Sequence, residues 1–157
     1  MPGTLSSWNA ISRLPGGRTA FSQALCVKVP YFGTVHPHVQ ELRPGYCEVR
    51  ASKRRSVHNH LGTFHAIAMC NLAEIAMGLL AEATVPHTHR WIPAGMTVEY
   101  VKKASTDLRA IAELDRVPSL AGRTDLEVPV RILDRDDDEV LRGVITVRVS
   151  PRPAAGA

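Results

Sequence analysis

AIAMCNLAEIAMGLLA, the run from Ala66 to Ala81, is the stretch of this sequence that decides its fold. Only Asn71 and Glu74 in it are polar, and no proline interrupts it. A helix with apolar residues on every side is buried, so the rest of the chain has to enclose this one. Carboxylates are rarely buried without a partner or a task. Glu74 is therefore the first residue for which the sequence predicts a function.

Length and composition predict one compact domain. The chain has 157 residues, of which 45% are apolar and 22% charged. The domain is expected at 1–150, with an N-terminal helical extension at about 1–28 and a disordered tail at 151–157. The start lacks the charged segment and apolar run of a secretory signal. The central helix is too short to span a bilayer and carries a carboxylate at its middle, so no membrane association is expected.

The three cysteines form no CxxC pair, which predicts reduced thiols in a cytoplasmic protein. The pairs His58-x-His60 and His87-x-His89 suggest zinc at first sight. No carboxylate or cysteine stands at a supporting spacing, so the sequence predicts neither a metal site nor another cofactor.

Basic residues are in excess, with a net charge of +4 and a pI of about 9.3. They are densest at 53–55 and at 102–103. A solvated face is the simplest explanation, and an anionic partner is the alternative. Nucleic acid is not expected, because aromatic residues make up only 5% of the chain and do not interleave with the basic runs.

Sequence patterns place two short helices before the central one. Ser6 or Ser7 is the expected cap of a helix with Trp8, and a second helix is expected at 19–25. The central helix is expected at 63–83. Alternating runs bounded by turn residues predict six strands, at 35–42, 46–52, 96–103, 108–114, 126–133 and 140–149. The acidic run 134–138 is expected to be a hairpin turn, because it lacks the glycine and the final glutamate of a calcium loop.

One long apolar helix and about six antiparallel strands predict an α+β fold. Short connections imply that the strands that follow one another after the helix are neighbours in the sheet. A single sheet can bury such a helix only by curling around it, and one face of the helix then stays open. A second copy of the chain is expected to cover that face.

The residues just before the helix suggest an active site. Gly62 allows a turn that other residues resist, and Thr63 is the expected N-cap. The first N–H groups of a helix have no partner inside it, so the N–H near Ala66 is suited to hold an oxyanion. Ala66 and Glu74 are about 12 Å apart along one helix and cannot touch the same carbonyl. The site is therefore expected where two helices meet at a dimer interface.

The order Asn59-x-x-Gly62-Thr63-x-His65, with Glu74 nine residues later, resembles the motif of hotdog-fold acyl-CoA thioesterases of the phenylacetate-pathway (PaaI-like) type. In that family N-x-x-G-x-x-H-G-G precedes an acid in a helix of small residues. The resemblance implies a hotdog fold, in which a curved antiparallel sheet of about five to six strands wraps a long central helix.

The resemblance covers about 29–149. It includes VPYF at 29–32 and YVKKA at 100–104, which look like an uncharacterised branch of the superfamily. The resemblance implies hydrolysis of an acyl-CoA by a homodimer or a dimer of dimers.

The resemblance also assigns a role to each position of the motif. It implies that Glu74 is the catalytic carboxylate, as general base or nucleophile, and that Ala66 supplies the oxyanion hole. It implies that Asn59 orients the attacking water or the thioester, and that His65 supports the thioester carbonyl. One departure is that Ala66-Ile67 replaces the glycine pair of the family, which makes the backbone bulkier where the thioester approaches.

Further residues are predicted to contact the substrate. Gly62 and Thr63 form the turn beside the thioester, and Gly78 leaves room for the acyl chain or the partner helix. Some relatives carry a serine or threonine where this chain has Pro93, and Thr97 is the nearest hydroxyl. Charge is expected to bring four basic residues to the phosphates of CoA, namely Arg54, Arg55, Lys102 and Lys103.

The sequence leaves alternatives open at these positions. Glu74 also fits a structural ion pair, Asn59 a turn and His65 the start of a helix. Gly78 equally fits plain packing, and Asn71 fits a bond to a backbone group better than catalysis. A non-catalytic acyl-CoA-binding or regulatory protein is the main alternative function. A hotdog hydratase is less well supported, because no Asp–His pair follows Glu74.

Overall fold

The fold is a curved antiparallel sheet wrapped around one long helix. The computed structural model describes residues 3–120 and 122–153. Its helices and strands are α1 (Thr4–Ile11), α2 (Gly17–Lys28), β1 (His38–Arg43), β2 (Tyr46–Ala51), α3 (Ala66–Thr84), β3 (His89–Tyr100), β4 (Leu108–Glu113), β5 (Thr124–Leu133) and β6 (Glu139–Pro151). Two 3₁₀ helices, Pro30–Val35 and Arg55–Val57, precede β1 and α3. The predicted α+β class is confirmed.

Helix α3 lies at the centre of the core. Leu72, Ile75 and Leu80 are completely buried, and they pack against the inward-facing residues of the sheet. These inward residues alternate with exposed ones along the strands, as the pair Val128 and Val130 of β5 shows. By length and composition alone α3 could cross a membrane, but more than half of it is buried inside this fold. The prediction of a buried central helix is confirmed.

The strands are arranged in the order β1-β2-β4-β5-β6-β3. The expectation that consecutive strands after the helix are neighbours is therefore wrong for β3 and β4. Strand β3 pairs with β6 at the edge of the sheet, whereas β4 lies between β2 and β5. The buried residue Ala104, in the connection from β3 to β4, accepts the Phe64 N–H at 2.9 Å. This hydrogen bond holds the connection against the turn before α3, so the chain does not turn directly from β3 into a neighbouring strand.

Strand β3 begins at His89, several residues earlier than predicted. The first part of this strand was not predicted because it contains Pro93 and Gly95, and both residue types are common in turns. An edge strand accommodates a proline, and the register shifts between these two residues. Large apolar side chains of this strand are exposed: Ile92, Met96 and Tyr100.

The pairing of β3 with β6 depends on Gly143. A Cβ atom at this position would lie 2.2 Å from the Thr97 carbonyl oxygen of β3. Gly143→Ala is therefore expected to push the two strands apart and to lower the free energy of unfolding by about 1–3 kcal/mol. Thermal unfolding measures the loss. Gly95→Ala is the control, because nothing lies within 4 Å of a Cβ there, and equal melting temperatures for the two variants would contradict this packing.

The N-terminal helices pack on the core through an aromatic pair. The rings of Trp8 and Phe21 meet edge to face, with their centroids 5.1 Å apart. Helix α1 has Gly3 as its N-cap, without a side-chain bond, so the predicted serine cap is wrong. Helix α2 extends the predicted helix at both ends and runs beside β1, where the Ser22 hydroxyl accepts the Val39 N–H at 2.9 Å.

The last strand extends beyond its predicted end. It includes Pro151, and the Arg152 N–H donates to the Thr88 carbonyl at 2.9 Å. The predicted disordered tail is wrong for these two residues, and 154–157 lie outside the described part of the chain. The acidic run is a hairpin turn as predicted, since the Asp134 carboxylate accepts two backbone N–H groups of the turn.

Candidate active site

The side chain of Asn59 holds the turn before α3. Its Oδ1 accepts the backbone N–H groups of Leu61 and Thr63 at 2.9 and 3.1 Å, and its Nδ2 donates to the Thr63 hydroxyl. Gly62 completes the turn with a φ of +72°, as its predicted conformational role requires. The Asn59 amide is thus used within its own turn, which was the structural alternative for this residue.

Helix α3 begins at Ala66, and its N-cap is His65 rather than the predicted Thr63. The His65 Nδ1 accepts the Ile67 N–H at 3.1 Å, whereas the Thr63 hydroxyl is bonded to Asn59. The helix starts later than expected because the two residues before Ala66 donate their N–H groups outside the helix. One ring nitrogen of His65, Nδ1, is therefore committed to the cap.

The N–H group of Ala66 is placed to bind an anion. No acceptor for it is found within residues 3–120 and 122–153. It lies at the positive end of a 19-residue helix, where free N–H groups favour negative charge. Ala66 is partly exposed, so a ligand can reach this group. The donor required of an oxyanion hole is thus present, and the Thr63 hydroxyl does not block it.

Glu74 is half-buried rather than buried. One turn before it, the Cys70 Sγ lies 3.3 Å from the Tyr100 hydroxyl of β3. One turn after it, Gly78 packs against the Trp91 ring of the same strand. Glu74 therefore lies on the side of α3 that faces the edge strand, which the sheet does not close. Its carboxylate has no hydrogen bond or ion pair with any residue that the structure describes.

The carboxylate of Glu82, the other acid of α3, is hydrogen-bonded within the chain. Its carboxylate accepts the Trp91 indole N–H at 3.2 Å and the Thr4 hydroxyl at 3.3 Å. Glu74 differs from Glu82 in having no such partner among the described residues, so the structure shows no ion pair for Glu74 there. An unpaired carboxylate on an apolar helix is the arrangement expected of a residue that acts on a ligand or a second chain.

Tyr100 lies beside the site, and the sequence analysis did not assign it a role. Its ring is on the side of β3 that faces α3, and 48% of the residue is exposed. The hydrogen bond with Cys70, together with partial burial, raises the pKa of its hydroxyl. The hydroxyl is therefore a neutral group one helical turn from Glu74. Its place in the family-like segment 100–104 was the signal that could have found it.

Asn71 connects α3 to the 3₁₀ helix Pro30–Val35. The residue is 5% exposed, and its Nδ2 donates to the Thr34 hydroxyl at 3.1 Å and to the Tyr31 carbonyl at 3.4 Å. The prediction that Asn71 satisfies a backbone group is confirmed. Its Oδ1 is buried without a partner among the described residues. This bond fixes the 3₁₀ helix about one turn of α3 away from Glu74.

Gly78 and Thr97, both predicted to contact the substrate, contact other parts of the same chain. Gly78 is covered by Trp91, whose ring would lie 3.4 Å from a Cβ there, so packing within the chain fills this space. Thr97 pairs with Val144 and lines a cavity of about 570 Å³ on the face of the sheet turned away from α3. Alternate residues of a strand point to opposite faces. Thr97 is therefore not brought to Glu74 of the same chain.

Lys102 is held by two carboxylates of the β5–β6 turn. Its Nζ lies 2.9 Å from Asp134 Oδ2 and 2.6 Å from Asp138 Oδ2. These bonds raise the pKa of Lys102. In this structure the Lys102 ammonium is therefore paired with the turn. The other predicted phosphate contacts are exposed and have no ion pair in the described part of the chain: Arg54, Arg55 and Lys103.

Ala66 and Glu74 are too far apart on α3 to contact the same small group. Ala66 and Glu74 lie on the same straight element, and a rise of about 1.5 Å per residue separates them by about 12 Å. The side of α3 that carries both is partly open, as the 57% exposure of Ile67 shows. The neighbouring strand β3 is an edge of the sheet. One chain therefore presents an anion-binding donor and an acid at two separate places on one open surface.

Comparison with known proteins identifies the family of this chain. Residues 17–149 match the family model described as "Domain of unknown function (DUF4442)". The chain belongs to this family. A structural-genomics crystal structure, APC5556, is 44% identical to it, with a TM-score of 0.84 over 95% of this chain and 98% of that chain. A search of curated proteins found no match.

Less similar structures show the fold of this DUF4442 protein. PA5026 from Pseudomonas aeruginosa, described as a protein of unknown function and "Probable Thioesterase", is 23% identical, with a TM-score of 0.77 over 88% of this chain and 97% of that chain. Thioesterase HI1161 from Haemophilus influenzae is 12% identical, with a TM-score of 0.71 over 85% of this chain and 91% of that chain. The hotdog fold predicted from the motif before α3 is confirmed.

No cluster of three or more histidine, cysteine, aspartate or glutamate residues suited to a metal ion occurs within the described residues. The cysteines Cys26, Cys47 and Cys70 are free thiols. The groups that the structure brings together at the candidate site are a helix N-terminus, the Glu74 carboxylate and the Tyr100 hydroxyl.

Proposed function

We propose that this DUF4442 protein hydrolyses acyl-CoA thioesters to a free acid and CoA, as a homodimer or a dimer of dimers. One observation carries the proposal. The open surface of α3 presents the Ala66 N–H, which has no acceptor among the described residues, and the unpaired carboxylate of Glu74. A thioester hydrolase needs these two groups, one for the oxyanion and one for water. The shared fold with proteins named thioesterases supports the same reading.

In the proposed reaction the thioester carbonyl of the substrate lies against the Ala66 N–H of one chain. Glu74 of the second chain removes a proton from water, and the resulting hydroxide adds to the carbonyl carbon. The Ala66 N–H stabilises the negative charge on the tetrahedral oxygen. Collapse breaks the carbon–sulfur bond, and the CoA thiolate takes up the proton held by Glu74. Direct attack by the Glu74 carboxylate, followed by hydrolysis of the anhydride, is the alternative route.

Asn59 and His65 act as positioning residues in this proposal. The Asn59 amide holds the turn that leads to α3 through its Oδ1 and one N–H of Nδ2, and it fixes the approach to Ala66. The His65 ring caps the helix through Nδ1, which leaves Nε2 to approach the substrate. Neither side chain replaces the Ala66 N–H as the oxyanion donor.

A panel of acyl-CoA substrates tests the proposed activity. Release of free CoA is followed with a thiol reagent, and turnover well above the rate without protein is expected for at least one acyl group. The matched control is Glu74→Gln, which keeps the size and polarity of the side chain. Absence of turnover with the entire panel, or equal turnover by the control, contradicts the proposal.

A non-catalytic acyl-CoA-binding or regulatory protein is the second candidate. The exposed side chain of Ile67, which stands where the related motif has glycine, favours it because a bulky group lies beside the oxyanion donor. The same panel separates the two candidates. Tight acyl-CoA binding by calorimetry without release of CoA would support the second.

A further inference from the structure

A large cleft lies between α2 and the outer face of the sheet. Its volume is about 1190 Å³, and it is bounded by α2 and by the outer face of β1, β2 and β4. His38 and Arg50 line it from the sheet, and they alternate along their strands with the core residues Val39 and Val49. The lining from α2 includes the polar side chain of Gln23. The cleft is large enough for a nucleotide-sized ligand.

The cleft contains four positively charged arginine side chains: Arg50, Arg54, Arg109 and Arg135. The three acids that also line it already have partners. The Asp134 carboxylate is paired with Lys102, and that of Asp137 with Arg109. Asp107 accepts the backbone N–H of Lys53 at 2.7 Å. The acidic groups are therefore satisfied, and positive charge remains available.

The available charge is on Arg54 and Arg50. The Arg54 guanidinium has no ion pair or hydrogen bond with any residue that the structure describes. That of Arg50 lies 3.6 Å from the Glu48 carboxylate and is 60% exposed. Such loose exposed pairs contribute little to stability. Guanidinium groups bind phosphate through paired hydrogen bonds, so a phosphate can take the place of these weak contacts.

One end of the cleft, at Arg54, lies close to the start of α3. Arg54 directly precedes the 3₁₀ helix Arg55–Val57, and the Val57 carbonyl accepts the His65 N–H at 2.7 Å. Three residues of 3₁₀ helix span about 6 Å, so Arg54 lies roughly one short turn from the N-cap of α3. A ligand that extends from the Ala66 N–H past this turn therefore enters the cleft at Arg54.

We propose that this cleft binds the nucleotide end of the acyl-CoA substrate, with Arg54 and Arg50 on its phosphates. The inference rests on the proposed function. It adds Arg50 and the outer face of the sheet to the binding site, and it leaves out Lys102. The flexible pantetheine arm runs around the turn at Arg55–Val57 and joins the two places. The polar side chains of α2 and β1, Gln23 and Gln40 among them, then face the ribose and the base.

Calorimetry tests the cleft without any reaction. CoA and ADP are expected to bind, and pantetheine, which lacks the nucleotide, is expected to bind much more weakly. Arg54→Ala and Arg50→Ala are each expected to weaken CoA binding by about tenfold, the usual effect of losing a charge-assisted hydrogen bond. Arg18→Ala is the control, because Arg18 is an exposed arginine of α2 outside the cleft. Equal affinities for CoA in all three variants would overturn the proposal.

Kinetics tests whether the nucleotide in the cleft belongs to the substrate. Arg54→Glu is expected to raise KM for acyl-CoA about tenfold or more while kcat changes little, because this contact is the same in the ground and transition states. An acyl-N-acetylcysteamine, which has no nucleotide, should be hydrolysed by Arg54→Glu as by the wild type. ADP that binds through Arg54 without competing against acyl-CoA would assign the cleft to a free nucleotide and refute the assignment to CoA. Loss of hydrolysis in every assay, with Arg54-dependent CoA binding intact, would refute the proposed function alone.

Discussion

Glu74→Gln is expected to lower kcat for acyl-CoA hydrolysis by about 10²-fold or more. Glutamine keeps the shape and polarity of the side chain but cannot take a proton from water. The carboxylate has no partner in the described part of the chain, so the fold loses no bond. KM and the melting temperature are therefore expected to stay close to those of the wild type. Release of free CoA and thermal unfolding measure the two effects.

Glu82→Gln is the matched control for this experiment. Glu82 is on the same helix, but its carboxylate is bound by Trp91 and Thr4 and is remote from the proposed reaction. Its variant should retain turnover. Wild-type turnover in Glu74→Gln would end the mechanism proposed here, and equal losses in both variants would indicate damage to α3 instead.

Ala66→Pro is expected to lower kcat by about 10²–10³-fold, because it deletes the N–H that holds the oxyanion. Proline is well accepted at the first position of a helix. The preceding residue, His65, already has the extended conformation that a following proline requires, with φ of −68° and ψ of 138°. The substitution thus removes one hydrogen-bond donor and leaves the helix in place. Ala66→Ser, which keeps the N–H, is the control and should remain active.

Mixing the two inactive variants tests whether the site is shared between chains. Glu74→Gln and Ala66→Pro chains that are unfolded and refolded together are expected to recover about one quarter of wild-type activity, since half of random dimers are mixed and each mixed dimer has one complete site. No recovery would place both groups in one chain, against the 12 Å separation expected along α3 at about 1.5 Å per residue. Light scattering should give a mass of at least twice the 17.1 kDa of one chain.

The buried helix and the strands around it were predictable because their signals are local. A helix with apolar residues on every side, such as the run at 66–81, has to be buried. The strands after it alternate between apolar and polar residues. Strand order was not predictable in the same way. The position of β4 beside β2 depends on contacts distant in sequence, such as the Phe64 N–H on Ala104, which no local pattern encodes.

The candidate site was likewise predictable where the signals are local and not where they depend on contacts distant in sequence. The turn at Gly62 and the acid at Glu74 were readable from residue type and spacing. The cap was misassigned because His65 and Thr63 both carry suitable acceptors, and only the bond between Thr63 and Asn59 decides between them. The ion pairs of Lys102 were not predictable, because its partners, Asp134 and Asp138, approach it from another strand pair.

The two edges of the sheet differ in a way that would limit how far the protein could associate by pairing strands. Strand β1 is covered by α2, and the Ser22 hydroxyl occupies the Val39 N–H that an incoming strand would use. Strand β3 has no such cover among the described residues, and an uncovered edge is a template for another strand. Pairing between two β3 strands would occupy this edge in both sheets and, since β1 is covered, would leave no open strand edge among the described residues. Growth by strand pairing would then stop at two sheets, so this edge would not lead to a fibre.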